Sequence, residues 1–187
     1  MQGRMIAIVG PSGVGKDTVM AALQKSRPDL SLVKRHITRP SGSIGEDHYA
    51  LSSEEFSKAV DQQKFVLSWT AHGLFYGVSH EAVQKLHRGQ DMLINLSRNI
   101  LEEADDVFDH FIVINLTAPQ EVLLNRLEER GREQIKDIKA RIQRQIAPLP
   151  KSLRAYDVSN DRHLSATLHE IESMLFNESQ TDERNFA

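Results

Sequence analysis

Short apolar runs alternate with segments of helical period along most of the chain. Met5–Val9 is a continuous apolar run between Arg4 and Gly10, which is typical of a strand buried on both faces of a parallel sheet. Strands alternating with helices predict an α/β fold, with helices on both faces of a parallel five-stranded sheet. The predicted strands are 5–9, 30–38, 91–97, 110–116 and 156–159, and the predicted helices are 19–24, 99–104, 119–130, 133–146 and 164–176.

Residues 35–80 break this alternation and are predicted to form an inserted lobe. Ser52 and Glu55 have the spacing of a capping box, which predicts a short helix from this point. Residues 65–71 alternate weakly, as a strand does, and Gly73 and Gly77 are expected to bracket a turn.

Composition and charge narrow the class of protein. The 187 residues carry 23 Lys and Arg against 26 Asp and Glu, a formal net charge of −3, which argues against nucleic-acid binding. No run approaches the roughly 20 apolar residues of a membrane span, and no cysteine is present for a disulfide or a thiolate metal site. We therefore expect a cytoplasmic protein without nucleic-acid or membrane partners, and the oligomeric state is left open.

A glycine-rich string directly follows the first predicted strand and matches G-x-x-x-x-G-K. Glycines allow the backbone to wrap so that its N–H groups point at phosphate oxygens, and the helix N-terminus adds partial positive charge. The alternative is a glycine-rich turn with a surface lysine. The predicted ATP-binding residues are Gly10, Pro11, Ser12, Gly13, Val14, Gly15, Lys16, Asp17 and Thr18.

The residue after the lysine departs from the usual phosphate loop. Asp17 stands where Ser or Thr ligates Mg²⁺, and Thr18 follows it. Asn95 stands on the strand where an acidic metal-binding residue is expected. One hypothesis is that the carboxylate has moved to the loop, so that Asp17 and Thr18 form the metal site. The other is that Asp17 only favours the helix N-terminus electrostatically.

Further segments resemble the guanylate kinase family of phosphate-loop nucleotide kinases. The resemblance runs from Ile6 to about Leu168 and implies ATP on the phosphate loop, the acceptor in the lobe and a lid with arginines at about 126–146. We predict a single domain over 1–176, and the polar, aperiodic residues 177–187 predict a tail. The segments that carry it are 10–16, Thr38-Arg39-Pro40, 51–56, Trp69 with 72–77, 115–131 with Arg141, and 156–161.

The positions that the family uses to read guanine have changed. The resemblance places the two base-reading acids at Ser68 and on the strand that carries Asn95 and Ser97. It also places a phosphate-binding tyrosine at His48 and a second lobe arginine at Gly42. Losing hydrogen-bonding partners of this kind changes specificity by roughly 10⁴–10⁵-fold, which argues for an acceptor without guanine.

Within the family, the strings at 45–48 and 71–74 are similar to those of the ribose 1,5-bisphosphate phosphokinases of phosphonate breakdown. This resemblance implies transfer of a phosphoryl group from ATP, with Mg²⁺, to ribose 1,5-bisphosphate, giving 5-phosphoribosyl 1-diphosphate and ADP. A nucleoside monophosphate kinase and a non-catalytic interaction module are the alternatives. Interaction modules typically lack the loop lysine and the lid arginines, all of which this chain retains.

Because a phosphate acceptor is already an anion, the reaction requires charge neutralisation rather than a general base. By resemblance, Lys16, Arg130 and Arg141 are the catalytic residues. The alternative for the two arginines is a solvated helix with glutamate partners. The predicted acceptor-binding residues are Arg39, whose guanidinium suits bidentate phosphate binding, and His48, His72 and Tyr76.

Overall fold

The computed structural model describes residues 2–40, 47–129 and 149–176. A five-stranded sheet forms its centre. Its strands are β1 (Met5–Val9), β2 (Ser31–Leu32), β7 (Met92–Asn95), β8 (Phe111–Thr117) and β9 (Ala155–Ser159). Their order is β2-β7-β1-β8-β9, and every neighbouring pair is parallel, which confirms the predicted architecture.

Helices follow the strands as the apolar periodicity predicts. Within the described ranges they are α1 (Lys16–Ser26), α2 (Ser53–Asp61), α3 (His80–His87), α4 (Leu101–Val107), α5 (Gln120–Glu129) and α6 (Leu164–Phe176). A 3₁₀ turn at Arg98–Ile100 precedes α4. No helix of the described residues is both long and apolar enough to cross a membrane.

A second sheet lies within the predicted lobe. Its strands are β3 (His36–Ile37), β4 (Tyr49–Ala50), β5 (Phe65–Ala71) and β6 (Leu74–Ser79). Their order is β4-β3-β6-β5, and β5 and β6 form an antiparallel hairpin. The domain and lobe boundaries that the sequence suggests remain predictions.

The central strand β1 is fully buried, and its side chains alternate between two hydrophobic clusters. Ile6 and Ile8 pack with α1, α5 and α6 on one face of the sheet. Met5, Ala7 and Val9 pack on the other face, in a cluster that also contains side chains of the second sheet and α4. The lobe therefore shares a core with the main sheet and has a defined position beside it.

The single strand predicted over 30–38 is wrong. Ser31 and Leu32 pair with β7 in the main sheet, whereas His36 and Ile37 pair with β6 in the second sheet. Lys34 and Arg35 lie between the two pieces. The chain leaves the main sheet here, and Arg35 packs against the Trp69 and Tyr76 rings of the second sheet.

The turn predicted between Gly73 and Gly77 is also wrong. The turn consists of His72 and Gly73, which have φ values of 52° and 73°. Positive φ at both residues is typical of the tightest β-hairpins, whose twist matches that of the strands. Gly77 lies within β6, where the Phe65 ring occupies the space of a β-carbon. This glycine therefore serves packing rather than chain reversal.

The predicted capping box is confirmed at the start of α2. Ser52 Oγ accepts from the backbone N–H of Glu55 at 3.1 Å, and a Glu55 carboxylate oxygen accepts from the backbone N–H of Ser52 at 2.7 Å. These bonds hold the pKa of Glu55 below its usual value. Together the two bonds fix the residue at which α2 begins.

Replacing Ser52 with alanine is expected to lower the free energy of unfolding by about 1 kcal/mol, because an N–H of the first turn loses its acceptor. Urea unfolding followed by circular dichroism measures the change. Ser53→Ala, on the first helical residue, is the matched control and should leave the midpoint nearly unchanged. Equal midpoints for the two variants would contradict the role of the cap.

Candidate active site

The segment between β1 and α1 forms a loop whose backbone conformation requires glycine at positions 10 and 15. Gly10 has φ of 146°, and a β-carbon there would lie 2.4 Å from the carbonyl oxygen of Leu116 in β8. Gly15 has φ of 95° and caps α1 without a side chain. The loop thus leaves the carboxyl end of the central strand and leads directly into a helix N-terminus, a geometry suited to anion binding.

The lysine of the motif lies over this loop. Lys16 Nζ donates to the carbonyl oxygens of Gly10 at 2.8 Å and Pro11 at 3.2 Å. The ammonium group is therefore held at the loop, beside the helix N-terminus, rather than extended into solvent. This geometry favours the phosphate loop over the alternative of a surface lysine.

Asp17, which follows the lysine of the motif, is in contact with Asn95, which stands where an acidic metal-binding residue is expected. Asn95, at the end of β7, donates from Nδ2 to Asp17 Oδ1 at 3.4 Å. The described residues contain no group of three or more His, Cys, Asp or Glu side chains that would hold a metal ion by themselves. Any Mg²⁺ here would therefore need phosphate oxygens and water as further ligands, which is its usual mode of binding in kinases.

A cleft of about 470 Å³ opens beside the phosphate loop. Arg126 of α5 donates from Nη1 to the carbonyl oxygen of Val14 at 3.4 Å, so α5 contacts the loop directly. Sequence reasoning missed the turn between β9 and α6 as a wall of this cleft. The cleft is lined by Gly13, Gly15, Thr18, Arg126, Glu129, Asn160, Arg162 and Leu164.

Arg39 and His48 contact each other in the lobe. Arg39 Nη2 lies 3.4 Å from His48 Nδ1, and His48 Nε2 lies 3.1 Å from the carbonyl oxygen of Arg39. The two ring nitrogens of His48 therefore face the guanidinium and the backbone carbonyl of the same arginine. Arg39 Nε is buried and has no hydrogen-bond partner among the described residues.

Tyr76 and Arg35 lie on the inner side of the lobe. The Tyr76 ring stacks on Trp69 at 5.2 Å between centroids, and the Arg35 guanidinium lies 4.9 Å from the Tyr76 centroid. Arg35 is only 6% exposed. Sequence reasoning did not select Arg35 as a site residue, because nothing in the strand pattern distinguishes it from its neighbours Lys34 and His36.

The lobe is bonded to the edge of the main sheet. Trp69 Nε1 donates to Ser97 Oγ at 3.0 Å, just beyond the end of β7. His72 is exposed at the tip of the β5–β6 hairpin. The backbone N–H of Thr38 donates to the carbonyl oxygen of Phe75, and the backbone N–H of Phe75 donates to Thr38 Oγ1. These two bonds hold the hairpin close to the residues that lead into Arg39.

A polar network that the sequence did not suggest crosses the carboxyl ends of β8 and β9. Arg98 donates to Asn115 Oδ1 at 2.8 Å, and Asn115 donates to Asp157 Oδ1 at 2.5 Å. Partial burial lowers the pKa of Arg98, with the Asp157 carboxylate acting against this shift. The Asp157 carboxylate therefore offsets part of the cost of placing the Arg98 guanidinium beside the strand ends.

The catalytic arginines that the sequence suggests, Arg130 and Arg141, lie outside the described residues, as do Arg132 and the helix predicted over 133–146. Their roles remain predictions. The same holds for Gly42, for the first two residues of the string at 45–48, and for the polar tail at 177–187.

Comparison with known proteins decides the family. Residues 2–178 match the guanylate kinase family. The chain belongs to this family. The guanylate kinase of Anaplasma phagocytophilum has the same fold, with a TM-score of 0.71 at 18% identity over 96% of this chain and 87% of that one.

Two curated relatives place the chain in one branch of the guanylate kinase family. The ribose 1,5-bisphosphate phosphokinase of Ruegeria sp. is 43% identical over 176 residues, which cover 93% of this chain and 92% of the relative. The bifunctional ribose 1,5-bisphosphokinase-thymidine phosphorylase of Cupriavidus pinatubonensis is 38% identical over 87% of this chain and 27% of its own length. The chain is thus a kinase of the ribose 1,5-bisphosphate phosphokinase branch.

Replacing Lys16 with alanine is expected to lower kcat/KM for phosphoryl transfer by about 10²–10³-fold, because a cation at the transferring phosphate is lost. Coupled measurement of ADP release gives the rate, and circular dichroism checks the fold. Lys25→Ala, an exposed lysine in the last turn of the same helix, is the control and should retain wild-type activity. A folded Lys16→Ala variant with normal turnover would exclude Lys16 from catalysis.

Proposed function

We propose that this chain transfers the γ-phosphoryl group of ATP to the 1-phosphate of ribose 1,5-bisphosphate, giving 5-phosphoribosyl 1-diphosphate and ADP. A terminal phosphate oxygen of the acceptor attacks the γ-phosphorus, and the bond between the γ-phosphorus and the bridging oxygen to the β-phosphate breaks. ADP leaves with that oxygen. No proton has to be removed from the attacking group at neutral pH.

One observation carries the choice of acceptor. The positions at which the resemblance expects base-reading acids hold neutral side chains, and two of these are engaged within the protein. Ser97 accepts from Trp69, and Asn95 donates to Asp17. Ser68 is exposed and carries no charge. At these described positions a purine would therefore find no carboxylate to receive its N–H groups, which supports a sugar phosphate as acceptor.

The lobe supplies cations in place of base-reading groups. Arg39 is the proposed ligand of an acceptor phosphate, because its buried Nε has no partner among the described residues and its neighbour His48 is oriented by the Arg39 carbonyl. His72 and Tyr76 are proposed as further contacts to the sugar phosphate. Arg35, buried against Tyr76, adds positive charge beside that ring. A bis-phosphate carries enough negative charge to require several such groups.

On the donor side, the loop from Gly10 to Thr18 is proposed to bind the phosphates of ATP, and the adjoining cleft its nucleoside. Lys16 neutralises charge on the transferring group. Arg130 and Arg141 are proposed to complete this neutralisation. The function of these cations is to bring two polyanions together and to stabilise the charge that develops between them.

Asp17 and Thr18 are proposed to hold Mg²⁺, with Asn95 orienting the carboxylate. The bound ion would supply further neutralisation of the β- and γ-phosphates. The contact between Asn95 and Asp17 supports this assignment over a purely electrostatic role at the helix N-terminus, because it fixes one carboxylate oxygen and leaves the other available.

The acceptor is tested by assaying ADP release with ATP and Mg²⁺ against a panel of phosphates. We expect kcat/KM for ribose 1,5-bisphosphate to exceed that for GMP by on the order of 10⁴-fold, because the base-reading partners are absent. Mass spectrometry of the product distinguishes 5-phosphoribosyl 1-diphosphate from other products. A Lys16→Ala preparation serves as the blank for contaminating kinases, and efficient turnover of GMP would refute the proposal.

Replacing Asp17 with threonine, the residue type that the usual motif carries, is expected to change the Mg²⁺ concentration at half-maximal rate several-fold. Binding of Mn²⁺ to the protein with ADP, followed by electron paramagnetic resonance, measures the same site without turnover. Asp105→Thr, on the exposed face of α4, is the control. Unchanged metal dependence in both measurements would leave Asp17 as a helix-terminal charge only.

A further inference from the structure

A buried asparagine joins the phosphate loop to the last strand and helix. Asn160 is 6% exposed, and its backbone N–H donates to the carbonyl oxygen of Thr117 at the end of β8 at 2.8 Å. Its side-chain Nδ2 donates to the carbonyl oxygen of Val14, within the loop, at 2.7 Å. One side chain thus connects the loop to the scaffold on the far side of the cleft.

The orientation of this amide is fixed from both ends. The Val14 carbonyl only accepts, so the amide nitrogen must face the loop. On the other side, the hydroxyl of Thr167 in α6 lies 2.9 Å from Asn160 Oδ1 and 3.2 Å from the Ser159 carbonyl oxygen. Thr167 is fully buried. Since these two oxygens are also acceptors, the hydroxyl donates towards them and holds Oδ1 on its side.

Fixing the Val14 carbonyl also fixes the next N–H. In a trans peptide the C=O and the following N–H point in opposite directions, and the described residues contain no cis peptide bond. The carbonyl of Val14 points out of the loop towards Asn160, so the N–H of Gly15 points into it. That N–H is one of the backbone donors available to a phosphate at the start of α1.

Gly15 is matched to this contact. A β-carbon at Gly15 would lie 2.8 Å from Asn160 Nδ2, closer than a carbon and an amide nitrogen approach, and its φ of 95° also favours glycine. The second glycine of the motif therefore leaves room for the asparagine amide as well as permitting the backbone conformation.

We propose that Asn160, oriented by Thr167, is a positioning residue that holds the Val14–Gly15 peptide so that the Gly15 N–H faces the donor's phosphates. This inference rests on the proposed function only in that the loop binds the phosphates of ATP. It does not depend on which acceptor is used. The role belongs to the phosphate loop and is separate from any contact that the cleft makes with the nucleoside.

The test compares the near-isosteric variant Asn160→Asp with the wild-type protein, using ADP and inorganic tripolyphosphate as probes in isothermal titration calorimetry. The carboxylate has no proton to donate to the Val14 carbonyl, which would keep only the longer bond from Arg126 at 3.4 Å, so the peptide would lose its orientation. We expect the Kd of both probes to rise at least tenfold, with the KM of the acceptor changed less than twofold. Asn125→Asp, the same charge change on the exposed face of α5, should leave every value unchanged.

The two probes separate positioning of the loop from contact with the nucleoside. Tripolyphosphate has no base or sugar, so a variant that weakens ADP but not tripolyphosphate would overturn the proposal. Wild-type affinity of folded Asn160→Asp for both probes would also overturn it. Failure of the wild-type protein to bind either probe would overturn this inference together with the ATP-binding part of the proposed function, whereas a wrong acceptor alone would leave it intact.

Thr167 provides a second pair of variants in case Asn160→Asp does not fold. Thr167→Ser keeps the hydroxyl that orients the amide, and Thr167→Val removes it at nearly the same volume. We expect tripolyphosphate to bind Thr167→Ser within twofold of wild type and Thr167→Val at least threefold more weakly. Thermal unfolding without ligand reports any general loss of stability, and equal affinities of the two folded variants would refute the role of Thr167.

Discussion

The path of the backbone from β1 into α1 is the constraint on which the remaining structure depends. β1 is buried on both faces between β7 and β8, and Gly10 lies against the carbonyl of Leu116 with no space for a side chain. The backbone can therefore pass from β1 into the phosphate loop only with a glycine at position 10. Since all five strands are parallel, their carboxyl ends lie at the same edge, and the groups that contact ligands gather there.

The segment that follows β7 links the two halves of the site. Asn95 contacts Asp17 on the phosphate loop, Ser97 receives the indole N–H of the lobe, and Arg98 is bonded to Asn115 of β8. Three of the four residues 95–98 thus contact the phosphate loop, the lobe and β8. In this chain neutral side chains stand where the family resemblance places an acid, and one of them, Ser97, bonds the lobe to the edge of the main sheet.

The sequence predicts the parts of the fold that depend on local patterns. The buried run of β1, the capping box at Ser52 and the helix Leu164–Phe176 follow directly from periodicity and capping. The split of 30–38 between two sheets was not predicted, because a single apolar pattern does not say which sheet pairs with each half. The phosphate loop was identified from its glycines and lysine, whose conformational needs are local.

The contacts of Asn160, Arg35 and the Arg98 network were not predictable in the same way. Each depends on residues far apart in the chain, such as the bond between Asn160 and Val14, 146 positions away. Nothing about an isolated asparagine or arginine distinguishes a buried, oriented side chain from an exposed one. Such assignments require the packing of β9, α6 and the lobe against the sheet.

The bond between Trp69 and Ser97 helps to fix the distance between the lobe and the main sheet. Because the lobe shares a hydrophobic cluster with β1 and is bonded to the sheet edge, the separation between Arg39 and the phosphate loop is largely preset. Holding both reactants at a fixed spacing removes much of the entropic barrier to a two-substrate reaction. In the proposed reaction this fixed separation would select acceptors by length, because a sugar phosphate with a shorter carbon skeleton would not reach from Arg39 to the γ-phosphorus.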